Sequence, residues 1–66
     1  MTIRLNGETL DVDDGSTVTD LLGRLAKDPR TVAVELNGDI LPRAQYSDTT
    51  LQADDGLEIV QFVQGG

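Results

Sequence analysis

Leu57-Glu58-Ile59-Val60-Gln61-Phe62-Val63-Gln64-Gly65-Gly66 closes the sequence, and its reading decides the rest. Leu57 to Val63 is a continuous strand-like run, rich in the apolar and β-branched residues that suit a pleated surface. Side chains alternate along a strand, so with Leu57 and Ile59 turned inward, Val60 and Phe62 turn outward. The run ends in two glycines. Without a Cβ, such a tail adopts backbone angles closed to other residues and enters a channel too narrow for a side chain. A terminal glycine also leaves its carboxylate sterically open to attack. The expected organisation is therefore a small folded domain over residues 1–63 that serves as a handle, with residues 64–66 a flexible tail and Gly66 carrying the reactive atom. The competing expectation is a frayed terminus without function.

A last strand needs partners, and the upstream sequence supplies them. Ile3 and Leu5 alternate with Thr2 and Arg4, Asn6-Gly7 is a strong signal for a two-residue turn with positive φ at both positions, and Glu8 to Asp13 alternates again. This predicts an opening hairpin with Ile3, Leu5, Leu10 and Val12 on its apolar face. Asp13-Asp14-Gly15 breaks the strand. Ser16 or Thr17 then caps a helix, with Asp20 three residues after Thr17 in the manner of a capping box. Val18, Leu21, Leu22 and Leu25 share one helical face, and Pro29 stops a helix of about 10 residues. Thr31 to Leu36 reads as a third strand with Val32, Val34 and Leu36 on one face. Asn37-Gly38 is a second tight turn, and Ile40-Leu41 forms a short return strand limited by Pro42. Arg43 to Leu51, with Tyr46, reads as a loop containing one helical turn, and Asp54-Asp55-Gly56 as the turn before the last strand. The order is β-β-α-β-β-β: an α+β domain with one helix laid across a mixed sheet of about five strands, the first and last strands parallel neighbours.

Composition excludes several chemistries. The chain has 66 residues, no cysteine and no histidine. It is one small domain, burying about 60% of the surface its unfolded chain exposes. Without His or Cys, histidine-ligated zinc, Ser-His-Asp and Cys-His sites are excluded, and any sulfur chemistry uses sulfur from elsewhere. The net charge is −7, from five basic and twelve acidic residues. Nucleic acid and anionic membrane surfaces are therefore unfavoured partners, and a basic groove on another protein is the natural complement. No apolar run has the length of a membrane span and no signal-peptide pattern opens the sequence, which makes cytoplasmic residence the default expectation. The pairs Asp13-Asp14 and Asp54-Asp55 lack the ligand spacing of a calcium loop, and turn chemistry accounts for them. No metal site and no bound cofactor is expected.

The motifs together resemble the ubiquitin-like β-grasp fold and, more narrowly, the ThiS family of sulfur carrier proteins from thiamin biosynthesis. The residues that carry the resemblance are Ile3-Arg4-Leu5-Asn6-Gly7, Gly15-Ser16-Thr17-Val18 before Leu21-Leu22, Val34-Glu35-Leu36-Asn37-Gly38, Leu41-Pro42-Arg43 followed by Tyr46, and Gly56 through Gly66. The likeness spans the whole chain. It implies that a ThiF-like adenylyltransferase uses Mg-ATP to convert the Gly66 carboxylate into an acyl-adenylate. Sulfur from a persulfide donor then replaces AMP to give a thiocarboxylate, and a ThiG-like thiazole synthase takes that sulfur into the thiazole ring. Gly65 supplies the slim approach. The chain itself is a co-substrate, not an enzyme, and is expected to be monomeric when free. Family members often have tryptophan where this sequence has Tyr46, which leaves any partner contact there open.

The residues suit that role. A carboxylate is a poor electrophile, adenylation gives it a leaving group, and the carrier needs no acid, base or metal of its own. Gln64 to Gly66 reach roughly 10 Å beyond the last strand, enough to enter a channel. Val60, Phe62, Val63, Gln64 and Gly65 are the expected partner-binding residues, Val60 and Phe62 forming a small apolar patch beside the tail. The alternative for Phe62 is to fold over a sheet edge. Glu35 and Glu58 are candidates to pair with partner Lys or Arg. Arg43 either binds a partner's acidic group or satisfies local carbonyls, with the local role favoured. Other readings remain open: a related carrier for the molybdenum-cofactor dithiolene or a cysteine precursor, a protein modifier joined through Gly66 to lysines, or a passive interaction domain.

Overall fold

The computed structural model describes residues 1–62; Val63, Gln64, Gly65 and Gly66, and with them the expected boundary between domain and tail, lie outside the described residues. Among the described residues five strands and one α-helix form: β1 (Thr2–Leu5), β2 (Glu8–Asp11), α1 (Val18–Arg24), β3 (Val32–Leu36), β4 (Asp39–Leu41) and β5 (Gly56–Gln61). Short 3₁₀ turns at Pro29–Thr31 and Arg43–Asp48 complete the path. The strands lie in the order β2-β1-β5-β3-β4. β5 is central, parallel to β1 on one side and antiparallel to β3 on the other. This is the ubiquitin-like β-grasp arrangement expected from the sequence.

Both Asn-Gly pairs make two-residue turns with positive φ at each position, 51° and 84° at Asn6-Gly7 and 52° and 89° at Asn37-Gly38. Such turns match the right-handed twist of the strands they join. They set the registers: Ile3 opposite Leu10 in the first hairpin, and Glu35 opposite Ile40 in the second. Because side chains alternate, these registers also decide which residues face α1.

The helix is shorter than the apolar spacing predicts. Thr17 caps it with the reciprocal capping box, its hydroxyl accepting from the Asp20 N–H at 3.1 Å while the Asp20 carboxylate accepts from the Thr17 N–H at 3.0 Å. At the other end Leu25 is the C-cap rather than a helical residue. Ala26 takes φ 57°. The Ala26 N–H then donates to the Gly23 carbonyl and the Lys27 N–H to the Leu22 carbonyl, the paired bonds of a Schellman motif. A left-handed residue ends the helix six positions before Val32 begins β3, well before Pro29 is needed to stop it.

Val18, Leu21 and Leu22 from α1 pack on Ile3, Val32, Val34 and Leu57 from the sheet, with Val12, Tyr46 and Leu51 closing the core. Tyr46 and Leu51 come from the segment read as a polar loop. Tyr46 is buried, which answers the question of a partner contact: its ring is core. Leu51 is held beside the start of α1 because its N–H donates to the Ser16 carbonyl, while the Val18 N–H donates to the Thr49 carbonyl. Strands β2, β3 and β5 are shorter than read, ending at Asp11, beginning at Val32 and ending at Gln61.

Candidate functional site

β5 runs through the middle of the sheet toward the sequence's last residues. Its inward positions are fixed by burial: Leu57 is fully buried and Ile59 half-buried against the core. The outward positions follow by alternation, and they are exposed, Val60 at 59% and Phe62 at 49%. Phe62 thus stays substantially open to solvent instead of being lost under a sheet edge. Val63, Gln64, Gly65 and Gly66, the other expected site residues, lie outside the described residues.

The chain is well anchored at Gln61 and Phe62. The Phe62 N–H donates to the Thr31 carbonyl at 2.8 Å. Gln61 points to the helix side of the sheet, where its amide donates to the Thr31 carbonyl at 3.2 Å and the Thr31 hydroxyl at 3.0 Å. Lys27 donates to the Gln61 side-chain oxygen at 3.4 Å. The segment after α1 therefore fixes the end of β5 at Gln61 and Phe62.

Sequence reasoning missed one member of the apolar patch. Ile40 is the most exposed large hydrophobic among the described residues, at 79%. It sits on β4 opposite Glu35, and Ala33 on β3 lies opposite Val60. Ile40, Ala33 and Phe62 line one open depression, with Arg30, Pro42 and Arg43 around it. The signal was available: a two-residue turn at Asn37-Gly38 pairs Glu35 with Ile40 and so turns Ile40 outward.

The charges around the patch divide. Glu35 and Glu58 are directly opposite one another on β3 and β5, both exposed. Opposed like charges disfavour the pairing slightly. Among the described residues neither has an ion-pair partner, the pairs present being Met1–Asp14 and Arg30–Asp28. On the other flank, Arg30 and Asp28 form a fork at 2.9 and 3.2 Å. The Arg30 hydrogen bonds hold the Asp28 carboxyl at a pKa of about 2, and the Asp28 carboxylate in turn raises that of Arg30. The charge of Arg43 adds to the lowering at Asp28. The favoured local role for Arg43 is not what the structure has: its guanidinium donates to no carbonyl among the described residues and it is exposed beside the patch.

No group of three or more acidic residues that could hold a metal ion occurs among the described residues. The Asp55 carboxylate is used in its turn, accepting from the Gln52 N–H at 2.8 Å and the Asn37 amide at 3.0 Å. Among the described residues, no helix is long and apolar enough to cross a membrane.

The family model for the ThiS family matches residues 3–66. A thiazole synthase of Paramagnetospirillum magneticum is 42% identical over 66 residues, which is all of this chain and 20% of that protein. The chain thus spans about a fifth of that relative's length. The sulfur carrier protein ThiS of Bacillus subtilis is 35% identical over 65 residues, covering 97% of this chain and 98% of that one. The crystal structure of a thiamine biosynthesis protein, ThiS, from Geobacter metallireducens matches with a TM-score of 0.84 at 36% identity and full coverage of both chains.

Proposed function

The chain belongs to the ThiS family of sulfur carrier proteins, and from that premise we propose that it carries sulfur as a thiocarboxylate on Gly66 for thiazole formation in thiamin biosynthesis. The observation that carries the reading is the family match through to Gly66, on a domain whose central strand leads into Gly65-Gly66.

The chemistry follows from what the chain has and lacks. A ThiF-like adenylyltransferase with Mg-ATP supplies the activation: the Gly66 carboxylate attacks the α-phosphorus, pyrophosphate leaves and an acyl-adenylate forms. The terminal sulfur of an enzyme persulfide attacks the acyl carbon and AMP leaves. A thiol supplied with the enzymes then attacks the outer sulfur of the resulting acyl disulfide, forming a disulfide with the donor and releasing the thiocarboxylate. Every acid, base and metal in these steps belongs to the enzymes, in keeping with a chain without His or Cys. The carrier contributes an end without side chains and a surface by which two enzymes in turn hold it. That surface is Val60 and Phe62 with the newly found Ile40, bordered by Glu35 and Glu58. Gln64 and Val63 link it to the reactive end. A docked apolar patch of this kind concentrates binding energy in a few buried side chains, while the acidic border affects the rate of encounter.

What supports thiazole as the destination, over a dithiolene or a cysteine precursor, is the likeness of the whole chain to a fifth of a thiazole synthase. The reading is tested by pyrophosphate exchange. With a ThiF-like enzyme and Mg-ATP, labelled pyrophosphate enters ATP only when the full chain is present. A chain lacking Gly66 supports no exchange. Equal exchange with both chains would overturn the assignment of Gly66.

A further inference from the structure

The two Asn-Gly turns do more than reverse the chain, because both asparagine side chains grip β5. Asn6 Oδ1 accepts from the Ile59 N–H at 2.8 Å and its Nδ2 donates to the Ile59 carbonyl at 3.3 Å. It stands where a longer β1 would have offered the next backbone partner. Asn37 Oδ1 accepts from the Gly56 N–H at 2.9 Å, and its Nδ2 donates to the Asp55 carboxylate at 3.0 Å. One lock sits at the first residue of β5 and the other at its fourth.

Each locking residue is also followed by glycine and exposed to water. A following glycine shields its backbone nitrogen least, so that nitrogen can reach the asparagine side-chain carbonyl. We propose that Asn6 is a site of spontaneous deamidation in the folded chain, restrained by its grip on Ile59 and, once modified, releasing β5 at that point.

The step balances without oxidant or reductant. The Gly7 nitrogen forms a bond to Asn6 Cγ while the Cγ–Nδ2 bond breaks, and Nδ2 leaves as ammonia with the proton that the Gly7 nitrogen gives up. Water then opens the five-membered imide at one of its two carbonyls. The product is aspartate, or an isoaspartyl link that places the side-chain methylene in the main chain.

Asn6 is distinguished from Asn37 by what holds each amide. For attack, the side chain must leave its partners and the backbone must rotate out of the left-handed turn. Asn37 gives up a charge-assisted bond to Asp55, whereas Asn6 gives up a longer bond to a neutral carbonyl. The Asp55 carboxylate also opposes the negative charge that develops as the Gly38 nitrogen attacks Asn37. After reaction, aspartate at position 6 has no N–H for the Ile59 carbonyl and sets oxygen against oxygen. The isoaspartyl product lengthens the backbone of the two-residue turn by one atom, which shifts the Asn6 side chain from its register with Ile59. Either product weakens the strand that leads to Gly65-Gly66.

The test uses the full chain, incubated at mildly alkaline pH in buffer and, in parallel, unfolded in urea. Peptide mapping reads the amide-to-acid mass gain and the isoaspartyl isomer at each site. In urea the two sites convert at similar rates. In buffer, Asn6 converts on the order of tenfold more slowly than in urea, as two modest hydrogen bonds would impose, yet ahead of Asn37. Amide exchange at Ile59 is then faster in both Asn6→Asp and Asn6→Gly chains than in the parent, while the Leu21 amide is unchanged. Asn6→Gly keeps positive φ without strain and so separates loss of the lock from loss of the turn. Conversion at Asn6 as fast in buffer as in urea, conversion of Asn37 first, no conversion of Asn6 in buffer while the urea sample converts fully, or unchanged exchange at Ile59 would each overturn the proposal.

Discussion

Ala26→Gly should stabilise the fold, although it removes a methyl group and adds a glycine. Ala26 holds φ 57° in the Schellman motif that ends α1. For an L-residue with a Cβ, the left-handed conformation costs about 1–2 kcal/mol, because Cβ crowds the following carbonyl. Glycine removes that cost. It also widens the unfolded ensemble, which takes back about 0.4–1 kcal/mol. Ala26 is exposed, so little packing is lost. The net is a gain of about 0.5–1 kcal/mol, which for a domain of this size raises Tm by about 2–8 °C. Ala26→Val provides the opposing arm, since a β-branched residue at positive φ is a genuine outlier. It should lower Tm. Thermal unfolding followed by far-UV circular dichroism reads both. A lower Tm for Ala26→Gly, or no change for Ala26→Val, would refute the claim that this residue's backbone conformation ends the helix under strain.

Other outcomes follow from the same structure. Tyr46→Ala should cost about 3–5 kcal/mol, read by urea unfolding, because the ring is buried in the core; a change below about 1 kcal/mol would place the ring outside it. Val60→Asp and Ile40→Asp should leave stability within about 1 kcal/mol, as both side chains are exposed. They should weaken binding to the adenylyltransferase by on the order of tenfold or more, measured by calorimetry. Asp28 should titrate near pH 2 in the folded chain, followed by its carboxyl carbon resonance, and return toward 3.8 in Arg30→Gln. Because the folded value lies below the unfolded one, this pair's contribution is complete above about pH 4 and is lost as the pH falls toward 2.

The strands were legible because each turns one face toward the core and the other to solvent, and period-two alternation reports that directly. Ile3, Val34 and Leu57 are buried as the pattern predicts. Asn6-Gly7 and Asn37-Gly38 were legible as turns because few dipeptides accept two successive positive φ values. The end of α1 was not, since Ala26 in a left-handed conformation carries no compositional mark. Leu25 continues the apolar spacing although it is already the cap. Tyr46 and Leu51 were hidden for a different reason. Their segment is polar and aperiodic, and they enter the core only because Thr49 and Leu51 bond back to Val18 and Ser16 across the domain. The asparagine grips on β5 span separations of 53 residues for Asn6 and 19 for Asn37, beyond any local reading. At the candidate site, Val60 and Phe62 were placed correctly on the open face. Ile40 required the register of the second hairpin to be followed one step further.

Sulfur carriage on Gly66 is the proposal on which the other roles depend. Its most direct measurement is the intact mass of the chain before and after incubation with Mg-ATP, a ThiF-like enzyme and a persulfide donor, with a chain lacking Gly66 treated alongside. The expected result is the mass gain of one sulfur-for-oxygen exchange in the full chain and none in the shortened one. The same gain in both chains, or adducts to lysine in place of it, would show that Gly66 does not carry sulfur as a thiocarboxylate.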